Sequence, residues 1–139
     1  MTAREFLLSV QKAERELKLI SDRRRHYEDL IVSIGSNMGK TSFGKPSNPS
    51  SKTETAAVGI IYLIDQLTTK EKEYTALVRK AEKLIGSLKQ DKFREILTRR
   101  YLNSESWKTI RDKMGYQDEK SVYRCHGYAL KEIQRRMQQ

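Results

Sequence analysis

Apolar residues recur over residues 1–34 at alternating steps of four and three, which is the heptad spacing of paired helices. This first seam contains Phe6, Val10, Ala13, Leu17, Ile20, Arg24, Tyr27, Ile31 and Ile34. A second seam contains Ala57, Ile60, Ile64, Leu67, Glu71, Tyr74, Val78, Ala81, Ile85 and Leu88. The two seams predict long helices of roughly 50 Å each, paired as a coiled-coil-like antiparallel hairpin.

The segment between the seams, residues 35–52, is rich in Gly, Ser, Asn and Pro and is predicted to be a flexible loop. Two seam positions, Arg24 and Glu71, are charged. A hairpin folded near residue 43 would not place these two side chains opposite each other. No pairing between them is therefore predicted.

Residues 56–64, with the sequence AAVGIIYLI, are apolar on more than one side of a helix. This pattern predicts contact with a second surface besides the hairpin partner. That surface is either another subunit or the C-terminal part of the chain. The first is favoured, so a homo-oligomer is predicted, with a dimer as the preferred state.

The pattern changes after residue 88, where the apolar positions define three short helices. Their inward faces are Phe93, Ile96, Leu97 and Tyr101, then Trp107, Ile110 and Met114, then Val122, Cys125, Ala129, Ile133 and Met137. Asn103 or Ser104 is predicted to cap the second helix, Gly115 to end it, and Asp118 to cap the third. An all-α fold is predicted, with the hairpin over residues 1–88 and a helix-turn-helix domain over residues 89–139.

Charge follows the same division. The 139-residue chain carries a net charge of +10, which favours polyanionic partners. Residues 89–139 hold 13 basic and 7 acidic side chains, whereas residues 53–88 hold 5 of each. The basic excess therefore lies mainly in the predicted helix-turn-helix.

The segment SWKTIRDKMGYQDEKSVYRCHGYALKEIQRRM resembles region 4 of bacterial sigma factors. Trp107 and Ile110 match the first two positions of the motif, Val122 and Cys125 the buried pair, and Ala129, Leu130 and Lys131 the closing pattern. The turn is about one residue longer than in primary sigma factors. Over its whole length the chain is similar to small phage-encoded sigma-like proteins of Gram-positive hosts, which are described as late-gene transcription regulators.

The third helix is the candidate recognition helix for double-stranded DNA. Its base-facing candidates are Glu119, Lys120, Ser121, Tyr123 and Arg124, with Arg124 as the best candidate for a bidentate guanine contact. Glu119 either accepts from cytosine or complements the helix N-terminus, and Tyr123 either reads a base or packs on sugar. The phosphate-contact candidates are Arg99, Arg100, Lys108, Arg111, Lys131 and Arg135.

The sequence contains few residues at spacings typical of catalytic or metal-binding sites. Cys125 is the single cysteine and is expected to be small, buried and apolar in role. His26 and His126 have neither zinc-site nor Cys-His spacing and are expected to be solvated or DNA-facing. No enzyme activity, cofactor or metal is predicted. With no signal peptide or long uncharged run, a cytoplasmic protein of a bacterial host without a membrane partner is expected.

The hairpin does not resemble the promoter-melting domain of a complete sigma factor. The prediction is therefore a phage-encoded, sequence-specific transcription regulator that acts at promoters, with host RNA polymerase as a further partner. The alternative is a small terminase subunit that recognises phage DNA for packaging, although its helix-turn-helix usually comes first in the chain. A protein-binding adaptor whose basic module contacts an acidic partner is a third possibility.

Overall fold

The computed structural model describes the backbone of residues 1–41 and 50–139 and the side chains of residues 1–35 and 54–139, and it is all-α. The α-helices in these ranges are α1 (Ala3–Thr41), α2 (Ser50–Gly86), α3 (Asp91–Leu97), α4 (Trp107–Met114) and α5 (Glu119–Met137). A π-helical turn, Thr98–Leu102, directly follows α3. None of the helices described has the length and hydrophobicity that crossing a bilayer requires.

Burial along α1 and α2 confirms both seams. Every seam position is buried or half-buried, including the charged ones, while Lys12, Lys18, Arg25 and Lys72 between them are exposed. The period of 3.5 residues keeps one stripe of each helix turned toward its neighbour. The buried stripe of each helix therefore follows the heptad spacing, as predicted.

Both helices extend beyond the seams. Helix α1 includes residues 35–41 and α2 includes residues 50–52, so the predicted loop over 35–52 is too long at both ends. An isolated glycine such as Gly35 costs a long helix only about 1 kcal/mol relative to alanine, which does not end it. Residues 42–49, the rest of the predicted loop, lie outside the described residues.

The two charged seam positions form an ion pair, contrary to the prediction. A guanidinium nitrogen of Arg24 contacts a carboxylate oxygen of Glu71, with the two side chains 27% and 34% exposed. A fold-back near residue 43 would have set residue 24 opposite residue 62. The observed register is shifted, and it lets two polar seam residues neutralise each other.

The chain divides into two compact units, residues 1–16 with 74–139 and residues 17–73. This grouping differs from the predicted boundary at residue 88, because the start of α1 carries a second buried stripe beside the seam. Leu7 is fully buried, Gln11 is 8% exposed, and Ala3 is 3% exposed. The Gln11 side chain donates to the carbonyl of Arg100 at 2.9 Å, and the Ala3 amide donates to Gln134 at 2.7 Å.

Candidate nucleic-acid interface

The unit formed by residues 1–16 and 74–139 contains the three short helices and most of the basic residues. Phe93, Ile96 and Leu97 of α3 are buried, as is Tyr101 in the π-helical turn, so the predicted inward face is confirmed. The turn widens the helix after Leu97, and the amide of Asn103 donates to the carbonyl of Thr98 at 3.0 Å. Arg99 and Arg100 lie in this widened turn.

Glu105 holds the loop between the π-helical turn and α4. Its carboxylate accepts from Lys113 Nζ at 2.6 Å and lies 3.3 Å from Arg99, and its side chain is only 11% exposed. The hydrogen bond from Lys113 and then that from Arg99 hold the pKa of Glu105 below its usual value. Its carbonyl also accepts from Arg100 at 3.0 Å. The sequence pattern did not single out Glu105, because its partners are not at helical spacing.

Helix α4 begins two or three residues later than the predicted caps would place it. Ser106 is its N-cap, and the Ser106 hydroxyl accepts from the amide of Thr109 at 3.1 Å. The prediction of Asn103 or Ser104 as the cap is wrong, because Asn103 ends the π-helical turn and Ser104 has a positive φ of 54°. Both residues therefore precede α4 and cannot cap it.

The turn between α4 and α5 follows the sequence signals. Gly115 ends α4 with φ of 77°, a left-handed conformation that glycine adopts without strain, so this prediction is confirmed. Asp118 caps α5 by accepting from the amide of Ser121 at 2.9 Å, as predicted, and this bond lowers the pKa of Asp118. A hydrogen bond with Cys125, and then burial, raise the pKa of Tyr116 to about 12.

Helix α5 has two chemically distinct faces. Val122, Cys125, Ala129 and Ile133 are buried, as predicted, whereas Met137, the last residue of the predicted stripe, is half-buried. The exposed residues of this helix are exclusively Lys, Arg and Tyr: Lys120, Tyr123, Arg124, Tyr128, Lys131 and Arg135. We call these six residues the α5 strip. No carboxylate of α5 is fully exposed, because Glu119 and Glu132 are half-buried.

The first turn of the α5 strip is held in place from two sides. The Tyr123 hydroxyl donates to a carboxylate oxygen of Glu119 at 3.0 Å, and this bond raises the pKa of Tyr123. The Tyr123 ring packs edge-on against Trp107, with 5.4 Å between ring centroids. Glu119 and Tyr123 therefore present a fixed pair, while Lys120 and Arg124 beside them extend into solvent. Ser121 is half-buried against its cap.

Trp107 contacts Arg100, Tyr123 and His126. Tyr101 joins this cluster by stacking on His126. The Arg100 guanidinium stacks 4.2 Å from the Trp107 ring centroid, and the His126 ring packs edge-on at 4.7 Å. Trp107 is half-buried, so the prediction of a fully buried core residue is wrong. Within the short helix α4, Ile110 is completely buried, whereas Trp107 remains partly exposed.

His126 is also placed differently from the prediction of a solvated or DNA-facing residue. Its Nε2 lies 2.7 Å from the Tyr101 hydroxyl, and its ring is half-buried. Burial, and then the positive charges of Arg4 and Arg100, lower the pKa of His126 to about 4. The imidazole is therefore neutral at pH 7. Arg4 reaches this region because the start of α1 belongs to the same unit.

The predicted phosphate contacts fall into two groups. Arg99 bridges Glu95 at 3.1 Å and Glu105 at 3.3 Å, and Arg100 is occupied by Trp107 and the Glu105 carbonyl, so both serve the local fold. The other four lie at the surface of α4 and α5. Arg111 contacts Asp112, Arg135 contacts Glu132, Lys131 lies over Tyr128, and Lys108 is exposed.

Within the described part of the chain, no group of three or more His, Cys, Asp or Glu side chains is arranged to hold a metal ion. No protein family, curated protein or solved structure compared with the chain gives a match. The candidate interface is therefore defined by its own geometry and chemistry.

Proposed function

We propose that the chain is a sequence-specific double-stranded DNA-binding transcription regulator that acts at promoters. In this proposal α4, the turn at Gly115 and α5 form a helix-turn-helix of the sigma region 4 type. The α5 strip is the observation that carries the proposal, because a helix face made only of Lys, Arg and Tyr suits a polyanion. A phage origin, a bacterial cytoplasmic location and RNA polymerase contact remain predictions of the sequence resemblance.

The N-terminal part of α5 is the proposed reading element. The major groove is about 12 Å wide and admits one α-helix, and the first turns of a recognition helix usually meet the base edges. Lys120 and Arg124 are exposed there, one turn apart. Arg124 can place its guanidinium on a guanine, and the fixed Glu119 and Tyr123 pair offers an acceptor for a cytosine amine.

Phosphate contacts would fix the register of the helix on the duplex. Four side chains of α4 and α5 serve this role best: Lys108, Lys131 and Arg135, which are exposed, and Arg111, which is half-buried. Arg99 and Arg100 would act indirectly, because their guanidinium groups position Glu105 and Trp107. Removing either would disturb the module as well as any phosphate contact.

We further propose that residues 17–73 pair with a second copy of the chain. In α2, Val58, Ile61 and Tyr62 are 66%, 56% and 60% exposed and occupy positions i, i+3 and i+4. A contiguous exposed apolar surface of this kind marks an interaction site. Residues 17–73 carry nine basic and seven acidic side chains, so net charge opposes self-association little. A dimer would present two reading helices to two half-sites.

The function is tested by selecting binding sites for the full chain from a random pool of duplex DNA. The proposal predicts one consensus, and Arg124→Ala should lose roughly 1 to 3 kcal/mol on that consensus but much less on random duplex. Arg25→Ala, an exposed arginine in residues 17–73, is the matched control and should bind like the parent chain. An unenriched pool would contradict sequence-specific binding, and equal losses on both duplexes would make Arg124 a phosphate contact.

A further inference from the structure

A groove with an apolar floor and a basic rim lies in the unit formed by residues 1–16 and 74–139. Its volume is about 400 Å³. Phe6, Leu84 and Met137 supply the apolar surface, and Lys80, Lys83 and Arg136 supply the charge. We call this feature the basic groove. It adjoins a second hollow of about 480 Å³, which shares Arg136 and adds Lys89, Phe93 and Glu132, whose carboxylate is paired with Arg135.

The cations of the basic groove form no ion pair with any of the described side chains. No carboxylate lines the groove, and Lys80 lies 5.7 Å from the centroid of the Phe6 ring. Lys83 and Arg136 form no ion pair with any described residue. By contrast, Arg99 and Arg24 each meet a carboxylate of the same chain. The groove therefore offers unpaired positive charge beside apolar surface.

The apolar floor of the groove distinguishes between two classes of anionic partner, nucleic acids and acidic peptides. A nucleic acid backbone would satisfy Lys83 and Arg136 but has no apolar group to place against Leu84 and Met137. A peptide that carries both carboxylates and apolar side chains satisfies the rim and the floor together. Methionine is an adaptable side chain that suits such a surface. The complementarity thus favours an acidic peptide.

We propose that the basic groove binds an acidic amphipathic segment of a partner protein. The groove uses Arg136 near the end of α5, roughly 24 Å along the helix from Lys120 at its start. DNA on the N-terminal turns of α5 and a peptide in the groove can therefore be bound together. This site lies beyond the proposed DNA-binding function and does not depend on it.

The test uses the full chain with ¹³C-labelled methionine methyl groups and a short synthetic peptide of alternating Leu/Phe and Glu positions at helical spacing. The peptide should shift the Met137 resonance, and Lys83→Glu should weaken its binding about tenfold. Lys12→Glu is the matched control, because Lys12 is exposed in the same unit but outside the groove. Thermal melting of both variants verifies that they are folded.

Two comparisons make the experiment decisive. A peptide of the same composition in scrambled order should bind at least several-fold more weakly, and a short DNA duplex should not displace the peptide. Equal binding of the scrambled peptide, or equal loss with Lys12→Glu, would overturn the proposal by showing unspecific charge attraction. Displacement by the duplex would overturn it by assigning the groove to nucleic acid.

Discussion

The two compact units are built from the same two long helices but differ in what they enclose. In residues 1–16 and 74–139, α1 and α2 are covered by the short helices, and side chains such as Leu7, Val10 and Ala81 are fully buried or nearly so. In residues 17–73, Ile20 is the one buried apolar residue among the described side chains. A pair of helices shields only one stripe, so a closed core requires a third element.

Charge separates the units in the same way. Residues 17–73 have a net charge of +2, whereas the remaining residues have a net charge of +8. The unit with the closed core also carries the α5 strip and the basic groove, while the open unit carries Val58, Ile61 and Tyr62 at its surface. The proposed division between a DNA-binding unit and an assembling unit rests on this contrast.

The largest expected effect is on the free energy of unfolding, and it is tested with two leucines of α1. Leu7 is 0% exposed and Leu19 is 56% exposed. Leu7→Ala should reduce the free energy of unfolding by about 3 kcal/mol, whereas Leu19→Ala should change it by less than about 0.5 kcal/mol. Denaturant titration of both variants measures the difference. Equal losses would contradict the contrast in burial between the units.

A second substitution probes the open unit. Ile61→Asp places a charge in the exposed stripe of α2 and should weaken dimerisation by about tenfold or more, as measured by sedimentation of the full chain. Leu8→Asp, at an exposed position of α1 outside residues 17–73, should leave assembly unchanged. A parent chain that stays monomeric over the concentration range would refute pairing through residues 17–73.

A smaller effect is expected from His126 in the closed unit. Its pKa is lowered to about 4 in the folded protein, while the ordinary value is about 6.5. The unfolded chain therefore takes up a proton first as the pH falls, so stability is lost between about pH 6.5 and 4. His126→Gln should flatten the melting temperature over this window. An unchanged slope would mean that His126 is solvated.

The buried faces of the helices could be predicted from the sequence, because the geometry of a helix returns every third or fourth residue to the same side. The heptad spacing gave the seams of α1 and α2, and Gly115 and Asp118 marked the ends of α4 and α5 through local backbone chemistry. Most of the buried residues of the inner faces, among them Phe93, Ile110 and Ile133, followed from helical periodicity. These predictions needed only neighbours within one helix.

Contacts between distant segments could not be predicted in this way. The pairing of Arg24 with Glu71 depends on the register of the fold-back, and Glu105 depends on the path of a loop. The burial of Leu7 could have been predicted, since Ala3, Leu7 and Gln11 form a stripe at steps of four residues beside the seam. His126 and Trp107 were misplaced because their burial depends on Tyr101 and Arg100, which lie in a π-helical turn without a sequence signature.

The division between the two units is tested most directly by following backbone amide resonances of the full chain during titration with its selected DNA duplex. The largest shifts are expected at Lys120, Tyr123 and Arg124, with smaller ones along the α5 strip to Arg135 and no localised change in residues 17–73. Shifts concentrated in residues 17–73, or spread evenly over all exposed lysines and arginines, would contradict the assignment of DNA binding to α5.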